Sequence, residues 1–253
     1  MIELEHVSLS FAGKPAISEV SAVFPCGSFT CLIGDNGCGK TTLLKLIAHL
    51  LKPESGKVRF DGRALDDWPR LALARRLAYL PQTRPLPALP AYMLVEHGRF
   101  PYLGFAKRLT AADHAAVARA IGATHSEALA EAELPVLSGG ERQRVFLAAA
   151  VAQETDCLLL DEPTTYLDTH YQIEIMELVR QLHQSGKTVL MVAHDLPQAF
   201  TYADTVCIMQ EGRLLAAAAP QALCGSELLR EVFGYTLRRS TDAGALYPYY
   251  LSR

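Results

Sequence analysis

The stretch Gly34-Asp35-Asn36-Gly37-Cys38-Gly39-Lys40-Thr41-Thr42 decides the fold of this chain. It follows an apolar, β-prone run, residues 29–33, and it precedes a helical pattern of apolar residues from 43 to 50. The pattern G-x-x-x-x-G-K-[ST] needs this strand–loop–helix context before it indicates a phosphate-binding loop rather than an ordinary Gly-rich turn. Glycines let successive backbone N–H groups converge on phosphate oxygens, and the helix adds its positive N-terminal end. We therefore expect a bound nucleoside triphosphate, with Lys40 on its β- and γ-phosphates and Thr41 on Mg²⁺.

The composition restricts the class of protein. The chain has 253 residues, half of them hydrophobic, and a formal net charge of −3, which argues against nucleic acid as a partner. Its first residues lack the features of a signal peptide, and no apolar run approaches the roughly 18 residues that span a bilayer, so any membrane association should be peripheral. The six cysteines show no C-x-x-C spacing, which predicts reduced thiols in a cytosolic protein.

β-like runs alternate with amphipathic helices, which predicts an α/β fold with a mostly parallel sheet. The predicted strands are residues 28–33, 157–160, 188–193 and 205–210, with 1–11 and 58–61 in an antiparallel portion. The helix after the phosphate loop should end near Leu51, since Pro53 follows. Residues 92–122 read as helical, with a capping box from Thr110 to Asp113 and Gly122 as the C-terminal cap. The predicted segments are a first part of the nucleotide-binding core (1–85), an inserted helical subdomain (86–136), a second part of the core (137–219), and a C-terminal helix and tail (220–253).

A second candidate anion site lies at residues 137–144, Leu-Ser-Gly-Gly-Glu-Arg-Gln-Arg. Ser138 and Glu141 have the spacing of a capping box at a helix start. Gly139 and Gly140 leave the N–H groups of the first turn uncovered, which favours an anion. The alternative is simply a capped helix, but a chain that already has a phosphate loop favours the anion site.

Paired acids end another apolar strand, Cys-Leu-Leu-Leu-Asp-Glu-Pro at residues 157–163. Asp161 is placed to hold hydrated Mg²⁺, and Glu162 can orient or deprotonate the attacking water. The alternative is a solvated strand end. Gln82 and His194 are weaker candidates, since either could be an ordinary hydrogen-bonded residue. Both, however, are expected at the carboxyl ends of parallel strands, where ligands lie in open α/β sheets.

The order of these motifs, continued by Tyr166-Leu167-Asp168 and His194-Asp195, resembles the ATP-binding subunits of ABC transporters over nearly the whole chain. The resemblance implies the P-loop NTPase core of the ABC ATPase type. It also implies a homodimer that holds two ATP molecules, each phosphate loop being completed by the other subunit. The implied catalytic residues are Glu162, His194, Gln82 and Lys40. The implied Mg²⁺ ligands are Thr41, Gln82 and Asp161. The implied ATP contacts are Phe11 (on adenine, or alternatively a core residue), Gly34, Asp35, Asn36, Gly37, Cys38, Gly39, Lys40, Thr41 and Thr42, and from the other subunit Ser138, Gly139, Gly140, Glu141 and Asp168.

A finer resemblance rests on residues 98–102 (Gly-Arg-Phe-Pro-Tyr), 151–155, 161–168 (DEPTTYLD) and Gln172. These residues are similar to the ATPases of iron–siderophore, haem or vitamin B12 importers, the siderophore type most of all. The resemblance implies permease subunits as partners, an external substrate-binding protein acting indirectly, and a peripheral location on the cytoplasmic face of the inner membrane. The alternative is a soluble ABC ATPase outside transport. Cys38 departs from the usual Ser or Ala of the loop, and if its thiol faces the phosphates, alkylation should inhibit.

Overall fold

The computed structural model describes residues 1–104, 108–234, 236–242 and 245–251. The chain divides into two compact units. Unit 1 comprises Met1–Asp67 and Thr188–Arg253, and unit 2 comprises Trp68–Lys187. The predicted segment boundaries, after residues 85, 136 and 219, differ from these limits and stay a prediction.

Unit 1 is built mainly of β-structure. Its strands are β1 (Ile2–Phe11), β2 (Lys14–Phe24), β3 (Phe29–Gly34), β4 (Ser55–Phe60), β5 (Arg63–Ala64), β8 (Thr188–Val192), β9 (Thr205–Gln210), β10 (Arg213–Ala218), β11 (Thr236–Asp242) and β12 (Ala245–Leu251). Its helices are α1 (Lys40–Ile47), α7 (Leu196–Tyr202), α8 (Pro220–Leu223) and α9 (Glu227–Phe233). An antiparallel sheet has the strand order β2-β1-β4-β5, and β11 pairs with β12. β3 lies between β8 and β9 and is parallel to both, and β10 is antiparallel to β9.

The central strand β3 explains why the phosphate loop begins where it does. All six of its residues are buried, and so are all five of β8. A continuous apolar run of this kind is typical of a parallel strand that is covered on both faces. The strand ends at Gly34, so the loop that follows lies at the carboxyl edge of the parallel strands.

Unit 2 is mainly helical. Its helices are α2 (Arg70–Ala74), α3 (Ala91–His97), α4 (Ala111–Ala123), α5 (Gly139–Ala152) and α6 (Thr169–Gln184), and its strands are β6 (Leu77–Leu80) and β7 (Cys157–Asp161), which pair in parallel. The apolar core of the helical part contains Ala91, Val95, Val117, Ala120, Leu134, Leu137, Val145, Ala148 and Ala152. Alanines make up four of these nine residues, so the helices approach closely. Among the described residues, every helix is too short or too polar to cross a bilayer.

The α/β class is confirmed, and the structure corrects several details. The predicted strand at 58–61 is β4, which starts three residues earlier. α1 ends at Ile47 rather than near Leu51, because His49 adopts a left-handed backbone conformation with φ of 55°. Gly122 is not a cap. It lies inside α4, which is capped by Thr124. Strands β2, β5, β6 and β10 and the hairpin of β11 and β12 were not predicted.

A buried ion pair joins α4 to the segment after α3. Arg99 donates to the Asp113 carboxylate at 2.9 Å, to the Ala152 carbonyl at 2.8 Å and to Glu154 at 2.8 Å. Its guanidinium also lies 3.8 Å from the ring centroid of Tyr102. Hydrogen bonds from Thr110, and then Arg99, lower the pKa of Asp113 to about 2. The folded protein thus has the lower pKa, so this stabilisation is present above about pH 4 and is lost as the pH falls towards 2.

We expect Asp113→Ala to lower the free energy of unfolding by about 3–5 kcal/mol, because it leaves the buried Arg99 charge without this partner and removes half of the capping box. Denaturant unfolding measures the change. The matched control is Asp66→Ala, whose carboxylate is 62% exposed and pairs with Lys52; its loss should stay below about 1 kcal/mol. Equal losses of unfolding free energy in the two variants would show that the buried Arg99–Asp113 pair stabilises the fold no more than an exposed ion pair does.

Candidate functional site

The phosphate loop of unit 1 is held by backbone packing. A Cβ atom on Gly34 would lie 2.1 Å from the Met209 carbonyl oxygen, and one on Gly39 would lie 2.4 Å from that of Ala16. Both glycines also have positive φ, 152° and 104°. Only glycine satisfies these two conditions together. Gly39 is the N-cap of α1 and has no side chain to cover the first-turn N–H groups, which leaves them oriented as an anion site requires.

Lys40 extends over this loop. Its ammonium donates to the carbonyls of Gly34 at 2.8 Å and Asp35 at 2.9 Å. The residue is only 5% exposed, so its charge acts in a shielded environment. Thr41 follows in the first turn of α1. These residues provide the cation, the hydroxyl and the backbone donors that phosphate binding requires.

The Cys38 thiol is turned away from solvent. The residue is 5% exposed, and its Sγ would lie 2.7 Å from a Cβ on Gly34. Burial raises the pKa of the thiol, an effect that the nearby Lys40 ammonium opposes only in part. Thiolate is the reactive form of cysteine, so we expect the buried Cys38 thiol to react slowly with alkylating reagents.

His194 and Phe11, also in unit 1, are both accessible. His194 follows β8 and is exposed, and the next residue, Asp195, is the N-cap of α7 and accepts a hydrogen bond from the Gln198 N–H at 2.7 Å. Phe11 ends β1 and is 49% exposed. Phe11 is therefore not a core residue, the alternative that the sequence left open. Its contact with adenine stays a prediction.

The paired acids of unit 2 end strand β7 as predicted, Asp161 being its last residue and Glu162 the next. Asp161 is 1% exposed and accepts a hydrogen bond from the Tyr79 hydroxyl at 3.0 Å. Burial, and then the Asp161 charge, raise the pKa of Tyr79, so its hydroxyl remains a donor. Glu162 has a left-handed backbone, with φ of 52°, and its Oε2 accepts hydrogen bonds from Gln82 Nε2 and from the Thr165 hydroxyl. The structure thus brings Gln82 to Glu162 at the carboxyl ends of the parallel strands β6 and β7.

The second candidate anion site begins α5. The Ser138 hydroxyl accepts from the Glu141 N–H at 3.3 Å, and the Glu141 carboxylate accepts from the Ser138 N–H at 2.8 Å. These bonds confirm the capping box, and they lower the pKa of Glu141. Asp168, the N-cap of α6, is exposed and accepts from the Tyr171 N–H at 3.1 Å.

Three residues of unit 2 were missed by sequence reasoning: Tyr79, Thr165 and Arg84. Arg84 donates to the Pro81 carbonyl at 2.6 Å and to Gln143 of α5 at 3.2 Å. Its guanidinium lies 4.3 Å from the ring centroid of Phe146, and burial lowers its pKa to about 10. The contacts of Arg84 with Gln143 and Phe146, and that of Tyr79 with Asp161, link residues far apart in the chain, so no local pattern could have found them.

In native protein we expect N-ethylmaleimide to modify Cys38 at least about tenfold more slowly than Cys26, which is exposed, since burial both shields the Cys38 thiol and raises its pKa. Peptide mass spectrometry of timed samples measures both rates. The same protein in denaturant is the control, where the two thiols should react at similar rates. Equal rates in native protein would show that Cys38 is accessible.

Comparisons with known proteins agree with this geometry. A family model described as ABC transporter matches residues 17–165. A probable siderophore transport system ATP-binding protein of Bacillus subtilis is 40% identical over 243 residues, 95% of this chain and 88% of that protein. A hemin import ATP-binding protein of Pseudomonas aeruginosa is 38% identical over 240 residues, 92% of each chain.

Solved structures show the same fold. An inward-facing metal-chelate type ABC transporter aligns with a TM-score of 0.86 at 23% identity, over 99% of this chain and 96% of that one. A dimeric ATP-binding cassette in a post-hydrolysis state, bound to ADP and phosphate, aligns with a TM-score of 0.76 at 27% identity, over 87% of this chain and 99% of that one. The predicted ABC ATPase core is thereby confirmed, and the chain belongs to the ABC transporter family as one of its ATP-hydrolysing subunits.

Proposed function

We propose that this chain is the motor subunit of an importer that takes up an iron–siderophore complex or a similar chelate. The observation that carries the proposal is the Glu162 carboxylate, which directly follows the buried Asp161 at the end of β7 and accepts a hydrogen bond from Gln82. Relatives named for siderophore, petrobactin and ferric enterobactin transport, 37–40% identical to this chain, support the class of cargo.

The proposed chemistry is hydrolysis of ATP by water. In unit 1, the loop N–H groups and Lys40 bind the phosphates, and His194 contacts the γ-phosphate. In unit 2, Glu162 accepts the proton of the attacking water, and Gln82 holds the Glu162 carboxylate. A base of this kind contributes typically 10²–10⁴-fold to a rate.

Mg²⁺ is the implied metal, and the residues present suit it. Thr41, Gln82 and Asp161 would hold the ion through oxygen atoms, which are the ligands that Mg²⁺ prefers. Among the residues that the structure describes, no group of three or more His, Cys, Asp or Glu is arranged around a metal position. One carboxylate, that of Asp161, together with the phosphates of the nucleotide is the kind of ligand set that Mg²⁺ usually has. When bound, the ion neutralises charge on those phosphates.

We further propose that two copies of the chain hold two ATP molecules between them, each copy contributing Ser138, Gly139, Gly140, Glu141 and Asp168 to the other's nucleotide. The dimeric cassette among the solved structures supports this arrangement. Tyr166 also supports it, because this aromatic side chain lies two residues before Asp168 and is 95% exposed. Tyrosine is one of the residue types enriched at protein–protein interfaces. ATP would close the dimer, since donors from both copies reach each γ-phosphate only in the closed state.

Membrane permease subunits are the proposed partners, with this chain bound peripherally at the cytoplasmic face. Three apolar side chains of unit 2 between residues 86 and 100, those of Leu86, Met93 and Phe100, are 42%, 38% and 55% exposed. They follow Gln82 closely in the chain and lie in the predicted helical subdomain, residues 86–136. An external substrate-binding protein would act through the permease.

Glu162→Gln should lower the turnover of MgATP by at least about a hundredfold, because the amide cannot accept a proton, while ATP binding stays within about threefold. Phosphate release measures turnover and equilibrium dialysis measures binding. Size-exclusion chromatography with ATP should show a trapped dimer. The control is Glu131→Gln, an exposed residue of the same unit, which should behave as wild type. Unchanged hydrolysis by the Glu162 variant would remove Glu162 from the mechanism.

The cargo proposal predicts that a permease co-purifies with the tagged chain from membranes, and that this complex, in lipid vesicles, transports a ⁵⁵Fe-labelled ferric siderophore when ATP is supplied. The Glu162→Gln complex is the control and should transport at background. Hemin is the second candidate cargo, favoured by the hemin relative, and cobalamin a further comparison. ATPase stimulation by DNA or ribosomes, with none by a permease, would instead indicate a soluble ABC ATPase.

A further inference from the structure

Residues Glu162 to Thr165 form a tight turn directly after β7. The Thr165 N–H donates to the Glu162 carbonyl at 3.3 Å, and the Thr165 hydroxyl donates to Oε2 of the Glu162 carboxylate at 3.0 Å. Pro163, the second residue of the turn, has a φ restricted by its ring to the value that such turns require. Both the backbone and the side chain of Glu162 are therefore bonded to one residue three positions later.

The carboxylate oxygen that Thr165 contacts is the one that also accepts from Gln82 Nε2. Two donors on one oxygen restrict rotation of a carboxyl group that would otherwise turn freely about its last torsion. Because the group is planar, a fixed Oε2 also fixes the direction of Oε1. A general base works only if its oxygen lies within hydrogen-bond reach of the water it deprotonates, so this restriction has a direct value for catalysis.

Thr165 is itself held in place from α6. Gln172 Nε2 donates to the carbonyl of Leu167 at 3.0 Å and to that of Thr164 at 3.4 Å. The Leu167 N–H donates to the same Thr164 carbonyl at 3.4 Å. These bonds fix the backbone on either side of Thr165. A left-handed, non-glycine residue such as Glu162 persists only where its surroundings enforce it, and this turn provides that enforcement.

We propose that Thr165 is a positioning residue, whose hydroxyl orients the Glu162 carboxylate for attack on ATP by water. The role rests on the proposed function of Glu162 as the base. Hydrogen bonds to charged groups are typically worth a factor of about 10–100 in an equilibrium. Since Gln82 remains as a donor when the hydroxyl is removed, we expect an effect near the lower end of that range.

The test is Thr165→Val in the full chain, with turnover measured over a range of MgATP concentrations. Valine keeps the branched shape and lacks the donor. We expect kcat to fall about tenfold with KM for ATP within about twofold of wild type. Thr165→Ser, which keeps a hydroxyl, should restore kcat to within about twofold. The matched control is Thr201→Val, since the Thr201 hydroxyl donates within α7, to the Pro197 carbonyl at 2.7 Å, and the kcat of this variant should be unchanged.

A second comparison separates positioning from a general structural defect. In the Glu162→Gln background, the added Thr165→Val change should lower the residual turnover less than twofold, because residues that act through one another are not additive. A tenfold further loss there would show a structural effect and overturn the proposal, as would an unchanged kcat of Thr165→Val alone. If circular dichroism shows that the valine variant is misfolded, Thr165→Ala replaces it under the same criteria. Wild-type turnover by Glu162→Gln would instead overturn the proposed function of Glu162.

Discussion

Close backbone contact beneath the phosphate loop is the constraint on which the nucleotide chemistry depends. The carbonyl oxygens of Ala16 and Met209 occupy the space where side chains on Gly39 and Gly34 would lie. The loop follows the end of a wholly buried strand, β3. It lies so close to these two carbonyl oxygens that only glycine fits at the two positions. This packing fixes the N–H groups before any ligand arrives, and preorganised donors of this kind need no rearrangement when phosphate binds.

The two compact units carry different parts of the chemistry. Unit 1 supplies backbone donors, a shielded ammonium and a helix N-terminus, all of which favour negative charge. Unit 2 supplies a buried carboxylate, a second carboxylate held by two donors, and the capped start of α5. The phosphate loop of unit 1 and the paired acids of unit 2 lie at the carboxyl ends of parallel strands, because buried strands leave only their ends accessible to a ligand.

Local rules predicted much of this arrangement. Period and capping patterns identified β3, β7, β8, β9 and the capping boxes of Thr110 and Ser138, because each depends on residues within a few positions of one another. Strand β6 is only four residues long, too short for a periodic signal. Arg84 and Tyr79 were missed for another reason: their partners Gln143 and Asp161 lie 59 and 82 residues away, and only the fold brings them together. The reactivity of Cys38 could not be predicted either, since burial rather than its place in a motif determines it.

The two donors on the Glu162 carboxylate differ in how they are attached. Thr165 lies in the same turn as Glu162, so its bond follows the carboxylate wherever the end of β7 moves. Gln82 lies 80 residues away in the chain, at the start of a loop with prolines at 85, 87 and 90. A displacement of that loop would remove one donor and leave the other. A movement of Gln82 could therefore break its hydrogen bond to Glu162 while the bond from Thr165 keeps the carboxylate oriented. The local bond keeps the carboxylate positioned, and the distant bond is the one that a partner bound near Gln82 can alter.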